Sequence, residues 1–348
     1  MLLLGSPGTG KSMLVRALCA RITGATYFEK AMSPVTVPED LYGPIDLIRL
    51  AAKGEWVRRD TGSMSRAHIV FLDEIARSNE AIRDTLLVAM NERLAQVVGF
   101  DPAPIPLLSL FSASNQMFPP EAAAFSDRFL LREVVQPIAD EQNFLLLLTG
   151  QLPDWHQAQA TISLDDLRHA QAEARQIKGT PEVAQAVLAL KAALSAEGIV
   201  VSDRKWGWCG KLLKARAWLD GQPELDVESL LCLQHALWTD PKEAPVVARE
   251  VYKLACPLAL KAVEYEDMAA EVYGTLPQPD DRDYTRVAEN VLQSIADMHK
   301  LLEAEVQASA ARNTERAEQA LAKIAGWHRQ VSQIFYRRVS GLSLAGGR

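Results

Sequence analysis

The sequence predicts an α/β fold, a parallel sheet covered by helices, followed by an all-helical region and a helical tail. Three observations carry that expectation. Apolar runs at Met1–Leu4, Ile69–Leu72 and Leu107–Ser112 read as buried strands of a parallel sheet. Helix-period segments stand between them, at Lys11–Ile22 and Asn79–Arg93. After Gln136–Pro137 only helical periodicity remains. Alternating strands and helices require crossover connections, and so a parallel sheet.

Each element follows from its residues. Met1–Leu4 stops at Gly5, and Met13, Leu14, Ala17, Leu18 and Ile22 then recur at helical spacing. A second strand is expected near Ala25–Glu29, and Pro38–Glu39 opens a short helix that Gly43–Pro44 breaks. Gly54–Gly62 reads as a small β-excursion bounded by glycines. Val97–Pro106, with Gly99, Asp101 and three prolines, suits an exposed hairpin or loop, and Phe129–Val135 reads as a fourth central strand. Helices are then expected at Asp140–Leu148, Leu164–Ile177, Pro181–Leu194, Asp203–Leu219 and Val227–Leu237. Two long helices, Asp283–Ala310 and Thr314–Arg337, flank a polar joint at Arg312–Asn313 and predict an antiparallel hairpin. The domain division is 1–136, 137–240 and 241–348. Trp206, Trp208, Trp218 and Trp238 are expected to fill the core of the middle region.

The 348 residues are 48% hydrophobic and carry a net charge of −7. That balance lacks the basic stripe of a dedicated nucleic-acid binder, so nucleic acid is disfavoured as a partner. Cys19, Cys209, Cys232 and Cys256 show no CxxC or zinc spacing and read as reduced thiols. The start lacks the pattern of a signal peptide, and the run Phe144–Leu148 is far too short to span a bilayer. A soluble, cytoplasmic protein is expected.

The chemistry sits at strand ends. Gly5-Ser6-Pro7-Gly8-Thr9-Gly10-Lys11-Ser12 matches GxxxxGK[ST] in full. Its glycines let backbone N–H groups turn toward phosphate oxygens, and the helix starting at Lys11, with Met13 behind it, adds the positive end of its dipole. Lys11 is expected on the β- and γ-phosphates of ATP and Ser12 on Mg²⁺. Ile69–Glu74 is an apolar strand ending in two acids. Asp73 is expected in the magnesium shell and Glu74 on the attacking water. Asn115, at the end of the next strand, lies where an open sheet binds its ligand and is expected to hold that water from the other side. Arg128, in Ser-Asp-Arg-Phe, is placed to enter a neighbour's site as an arginine finger, with Arg132 as its competitor. Arg204, in Val-Ser-Asp-Arg-Lys-Trp, is placed to contact the γ-phosphate.

In this order the pieces resemble the MoxR branch of AAA+ ATPases, and most nearly its RavA-like subgroup. The carrying segments are GSPGTGKS at Gly5–Ser12, VPEDLYGP at Val37–Pro44, IVFLDEI at Ile69–Ile75, LLVAMNER at Leu86–Arg93, SASN at Ser112–Asn115, SDRF at Ser126–Phe129 and VSDRKW at Val201–Trp206. The resemblance covers roughly residues 1–240. It implies an αβα nucleotide domain with a helical lid, and a hexameric ring with ATP at subunit interfaces. Gly54–Gly62 corresponds to the helix-2 insert and Val97–Pro106 to the hairpin before the first sensor. Asn115 corresponds to sensor 1, Arg128 to the finger and Arg204 to sensor 2. The resemblance also implies chaperone-like remodelling of a protein client with a von Willebrand factor A domain partner. Family members carry some tens of residues ahead of the loop strand that help wall the adenine pocket. This sequence starts on that strand, so a truncated start or an incomplete pocket is expected. Two alternatives stand beside this reading: a nucleic-acid motor resting on Arg58 and Arg59, and a nucleotide-gated scaffold docking partners through the hairpin 283–337.

Overall fold

The computed structural model describes residues 1–97, 99–151 and 160–339. Part of the expected lid and the last nine residues lie outside the described set, as does Val98 within the expected hairpin. Five strands form one sheet: β1 (Leu2–Leu4), β2 (Tyr27–Ala31), β3 (Ile69–Asp73), β4 (Ser109–Ser114) and β5 (Arg132–Val134), in the order β2-β3-β4-β1-β5. All four pairings are parallel, with Leu4 opposite Ser114 and Val134, and Leu72 opposite Ser112. The central strands read as unbroken apolar runs because both faces are covered: Leu2, Leu3, Val70, Phe71 and Leu72 are all buried. Helix α1 (Lys11–Ala20) lays Val15 and Cys19 onto Leu3, Ile69, Phe71 and Ala113. Helix α2 (Glu80–Glu92) starts at Asn79, whose side chain accepts from Ile82 N, and buries Ile82, Leu86 and Ala89.

The described residues gather into two compact units. One comprises 1–179, 195–225 and 232–247; the other comprises 180–194, 226–231 and 248–348. The first holds the sheet, α3 (Leu164–Gln176) and α5 (Asp203–Leu219), the latter two packed on each other. The second holds most of α4 (Pro181–Ala196), and α6 (Ala244–Ala255) runs from the first unit into it. Its bulk is a three-helix bundle of α7 (Pro257–Gly274), α8 (Tyr284–Ala308) and α9 (Glu315–Val339). Glu266 accepts from Arg316 at 2.7 Å and Lys323 at 2.6 Å, and Tyr273 stacks on Trp327. The polar joint between α8 and α9 is held by Glu228, whose carboxylate accepts from Arg312 N and Asn313 N, both at 3.1 Å.

Several local expectations change. Gly54–Gly62 is not a β-excursion of its own. Only Arg58 bridges, antiparallel to Ile45, and the regular element beside it is a helix over Leu47–Lys53. Asp46 caps that helix, accepting from Ile48 N and Arg49 N. Val227–His235 winds as a 3₁₀ helix. The hairpin does form, pairing Leu94–Ala95 with Ala103–Pro104. Of the four tryptophans, Trp238 is buried, while Trp206, Trp208 and Trp218 are only half-buried. Trp218 donates to Glu173.

Gly43 shows why the turn before Pro44 needs glycine. Its φ is +84°, and a Cβ there would stand 2.0 Å from the Arg59 carbonyl oxygen. Arg59 cannot retreat freely, because its N–H donates to Pro44 O at 2.9 Å. Gly43→Ala is expected to destabilise the sheet-bearing unit by about 3 kcal/mol, combining left-handed strain with a backbone clash. Gly54→Ala, at φ +70° with nothing within 4 Å, is the control and should cost about 1 kcal/mol. Urea unfolding of both variants checks the contrast.

Candidate nucleotide site

The phosphate-loop motif leaves the end of β1 and runs into α1. Gly5 N donates to Ser114 O at 3.1 Å, and a Cβ on Gly5 would stand 2.3 Å from Val135 O. The chain can pass between the neighbouring segments there only as glycine. Gly8 and Gly10 are left-handed, at φ +81° and +78°. Gly10 is the N-cap of α1 and offers no side chain to its first N–H groups, so those donors face outward as an anion site. The Lys11 ammonium folds across the loop, donating to Gly5 O at 3.0 Å, Ser6 O at 2.7 Å and Thr9 Oγ1 at 3.2 Å. An incoming phosphate would compete for those bonds and draw the ammonium outward. Ser6, Pro7 and Gly8 are exposed, Ser12 is half-buried on the first turn of α1, and Met13 is 45% exposed beside it.

The acid pair lies two strands away. Strand β3 ends at Asp73, whose Oδ1 accepts from Glu74 N at 2.9 Å. The backbone then reverses at Glu74, which is left-handed at φ +52° and opens the 3₁₀ turn Ile75–Arg77. Within the described residues Glu74 and Arg93 alone among non-glycines have positive φ. Glu74 Oε2 is buried and has no hydrogen-bond partner. A strained backbone carrying an unsatisfied carboxylate oxygen marks a position kept for chemistry rather than stability. Asn115 is exposed and directly follows the end of β4, the strand between β1 and β3. Strands sit about 4.8 Å apart, so the loop and the acid pair are separated by roughly 10 Å with Asn115 between them. That span suits a magnesium-bound triphosphate.

The donor set fits a hard cation. Ser12 and Asp73 supply oxygen only, and among the described residues no group of three or more His, Cys, Asp or Glu forms a ready-made metal cage. Magnesium is ordinarily held by one or two protein oxygens with substrate phosphates completing its shell.

The arginines do not join this cluster. Arg128 and Arg204 line a cleft of about 800 Å³ together with Arg93 and Lys211. Its other walls include Met1, Ser109, Leu110 and Leu131, at the amino ends of β1, β4 and β5. The phosphate loop and the acids sit at the carboxyl ends. Six residues of β4 separate the two ends by about 17 Å, so Arg204 and the loop of its own chain face different sites. Arg128 donates to Ala124 O at 2.6 Å, and its buried Nε has no partner. Burial and the charge of Arg204 lower its pKa. Arg132, the competitor, is fully buried and donates to Phe129 O at 2.9 Å and Ser126 O at 2.7 Å. Its guanidinium anchors the loop from inside and is not available to a neighbouring chain.

One acidic residue that sequence reasoning missed ties this region together. Asp127 accepts from Ser202 Oγ at 3.1 and 3.0 Å and pairs with Arg204 and Lys205, each at 3.9 Å. Lys205 is 2% exposed, and burial, with the Arg132 charge adding, pulls its pKa down to about 8. The doublet of Ser-Asp-Arg motifs, 126–128 and 202–204, was the available signal. The basic pair Arg58–Arg59 is already occupied. Arg58 donates to Gly43 O at 2.5 Å and pairs with Glu39 at 3.3 Å, while Arg59 pairs with Asp46 at 3.3 Å. No helix among the described residues is long and apolar enough to cross a membrane.

Comparison with known proteins matches residues 1–172 to the MoxR domain of the MoxR-vWA-beta-propeller ternary systems and residues 182–251 to an AAA lid domain. Two uncharacterised proteins of Methanocaldococcus jannaschii are each 34% identical to this chain. One aligns over 266 residues, 76% of this chain and 70% of its own length; the other aligns over 252 residues, 72% and 65%. The chain thus spans about two thirds of those relatives. The crystal structure of a proposed ATPase from Cytophaga hutchinsonii superposes with a TM-score of 0.56 at 20% identity, covering 72% of this chain and 84% of that one, and so shares the fold. With its five-stranded parallel sheet, helical lid and these matches, the chain belongs to the MoxR family of AAA+ ATPases.

Proposed function

We propose that this chain hydrolyses Mg-ATP and couples the hydrolysis to remodelling or maturation of a protein complex, with a von Willebrand factor A domain protein as partner. The observation that carries the reading is the convergence of the loop Gly5–Ser12 and the pair Asp73–Glu74 on neighbouring strand ends. In this reading Lys11 binds the β- and γ-phosphates. Ser12 and Asp73 hold magnesium, which draws charge from the phosphates when bound. Glu74 orients and deprotonates water, and Asn115 fixes that water from the opposite side.

Arg128 and Arg204 serve a neighbouring copy. They occupy the end of the sheet away from their own loop, in a cleft whose charged lining is wholly basic, which is what a triphosphate presented by a second subunit requires. Such a heterologous contact builds either a ring or an open filament, and a closed hexameric ring is the form proposed. The von Willebrand partner is supported by the name of the matched MoxR domain. A RavA-like member carries helices and a small β-module after the lid; among the described residues beyond 248 the regular elements are helices. We place the protein in the cytoplasm.

Calorimetry tests the nucleotide half: the chain should bind ATP in magnesium, and Lys11→Ala should weaken binding by at least about 10-fold, as expected for a lost charge-assisted contact. Unchanged ATP affinity in that variant would sink the assignment of the loop.

A further inference from the structure

Besides Arg128 and Arg204, the basic cleft has a third arginine on its wall, Arg93. Arg93 ends α2 and turns the chain into the hairpin. Its backbone is left-handed, at φ +58° and ψ +37°, and its carbonyl accepts from Ile105 N at 2.9 Å. A helix that ends in this conformation ordinarily carries glycine there, because a Cβ is strained. A long side chain kept at such a position, at a cost that glycine would remove, points to a use for that side chain.

Local bonds do not exhaust that use. Nη1 donates to the carbonyls of Ala89 and Met90 at the end of α2. Nε and Nη2, the side-on fork of the guanidinium, have no partner among the described residues, and no carboxylate there pairs with Arg93. The residue is exposed. A free guanidinium fork matches two oxygens of a phosphate.

The charge of the cleft leads the same way. Arg93, Arg128, Arg204 and Lys211 line it, and among the described residues the one carboxylate paired with any of the four is Asp127, 3.9 Å from Arg204. The excess of positive charge is large for a single γ-phosphate and suits the several negative charges along a triphosphate. The three arginines also come from three places in the fold: Arg93 from the end of α2, Arg128 from the segment before β5, and Arg204 from the first turn of α5.

We propose that Arg93 is a third arginine binding the triphosphate of a neighbouring copy, with its Nε and Nη2 fork on two phosphate oxygens. This rests on the reading that the cleft receives that nucleotide.

Turnover at saturating ATP, equilibrium ATP binding and urea unfolding of Arg93→Gly and Arg93→Lys, each in the full chain, test it. Arg93→Gly relieves the backbone and should unfold at a urea concentration no lower than the parent does. Its kcat should nevertheless fall about 10–10²-fold, as for a lost charge-assisted contact, with ATP affinity at its own loop unchanged. Arg93→Lys keeps the charge but not the fork, so its kcat should stay several-fold below the parent. Mixed in equal amounts with Lys11→Ala, Arg93→Gly should regain on the order of a quarter of parent activity. An arginine that only caps α2 gives the opposite pattern, a lower urea midpoint with kcat intact. Parent-like kcat in Arg93→Gly overturns the proposal, and so does a loss of kcat that comes with a loss of stability. Parent-like kcat in Arg93→Lys overturns the fork contact. If Arg204→Ala recovers on mixing with Lys11→Ala and Arg93→Gly does not, the assignment of Arg93 fails and the reading of the cleft stands. If neither recovers, both fail.

Discussion

Glu74→Gln should lower kcat for ATP hydrolysis by about 10²–10³-fold while leaving ATP affinity within about 3-fold of the parent. Proton abstraction by a placed carboxylate contributes on that scale, and an amide keeps the shape but not the base. The local geometry sharpens the expectation. Glu74 sits in a left-handed backbone that a non-glycine residue adopts at a cost, and its buried Oε2 has no partner within the protein. The amide should therefore fold as well as the acid does. Single-turnover measurement with Mg-ATP, beside equilibrium binding, separates the two effects. Parent-like turnover in Glu74→Gln would remove Glu74 from the chemistry. The same variant, holding ATP without consuming it, should retain its partners in a pull-down, a von Willebrand A domain protein among them.

The second large effect concerns subunits in combination. Lys11→Ala removes the loop cation, and Arg204→Ala removes a residue of the basic cleft at the other end of the sheet. Each variant alone should lose at least about 10²-fold in turnover; arginine contacts to a transferring phosphoryl group are worth 10³–10⁵ where they are strongest. Mixed in equal amounts, the two should regain on the order of a quarter of parent activity, because a competent site then forms wherever an intact loop meets an intact Arg204. That fraction is random pairing of two halves at an interface that joins unlike surfaces. No recovery on mixing, with assembly shown by light scattering, would return Arg204 to its own chain or remove it from the reaction. Arg128→Ala should complement Lys11→Ala in the same way.

Much of this was legible in the residues, for physical reasons that also explain what was not. A strand covered on both faces must be apolar throughout, so Leu2–Leu4 and Ile69–Leu72 stand out with no knowledge of their neighbours. A phosphate cradle needs glycines at fixed spacing, so Gly5, Gly8 and Gly10 are readable as a set. The helix Leu47–Lys53 was missed although its signals were present, an Asp cap at 46 and a left-handed glycine at 54. Two charged residues and two alanines in seven positions obscured its periodicity. Which end of the sheet receives Arg204 was not readable at all. It depends on how Asp203–Leu219 packs, and Asp127, some 75 positions earlier, settles it through Ser202. The separation of Arg128 from Arg132 likewise rests on burial, which two arginines four apart do not reveal.

Asp127 also has a mechanical meaning. A single carboxylate is bonded to the start of one helix and is the direct chain neighbour of Arg128. If a phosphate on an adjoining subunit pulls Arg204 by an ångström, Asp127 loses or regains a partner and the peptide bearing Arg128 shifts with it. Under the proposed assignment of both arginines to a neighbouring site, they share that pivot, and displacing one is expected to be felt at the other.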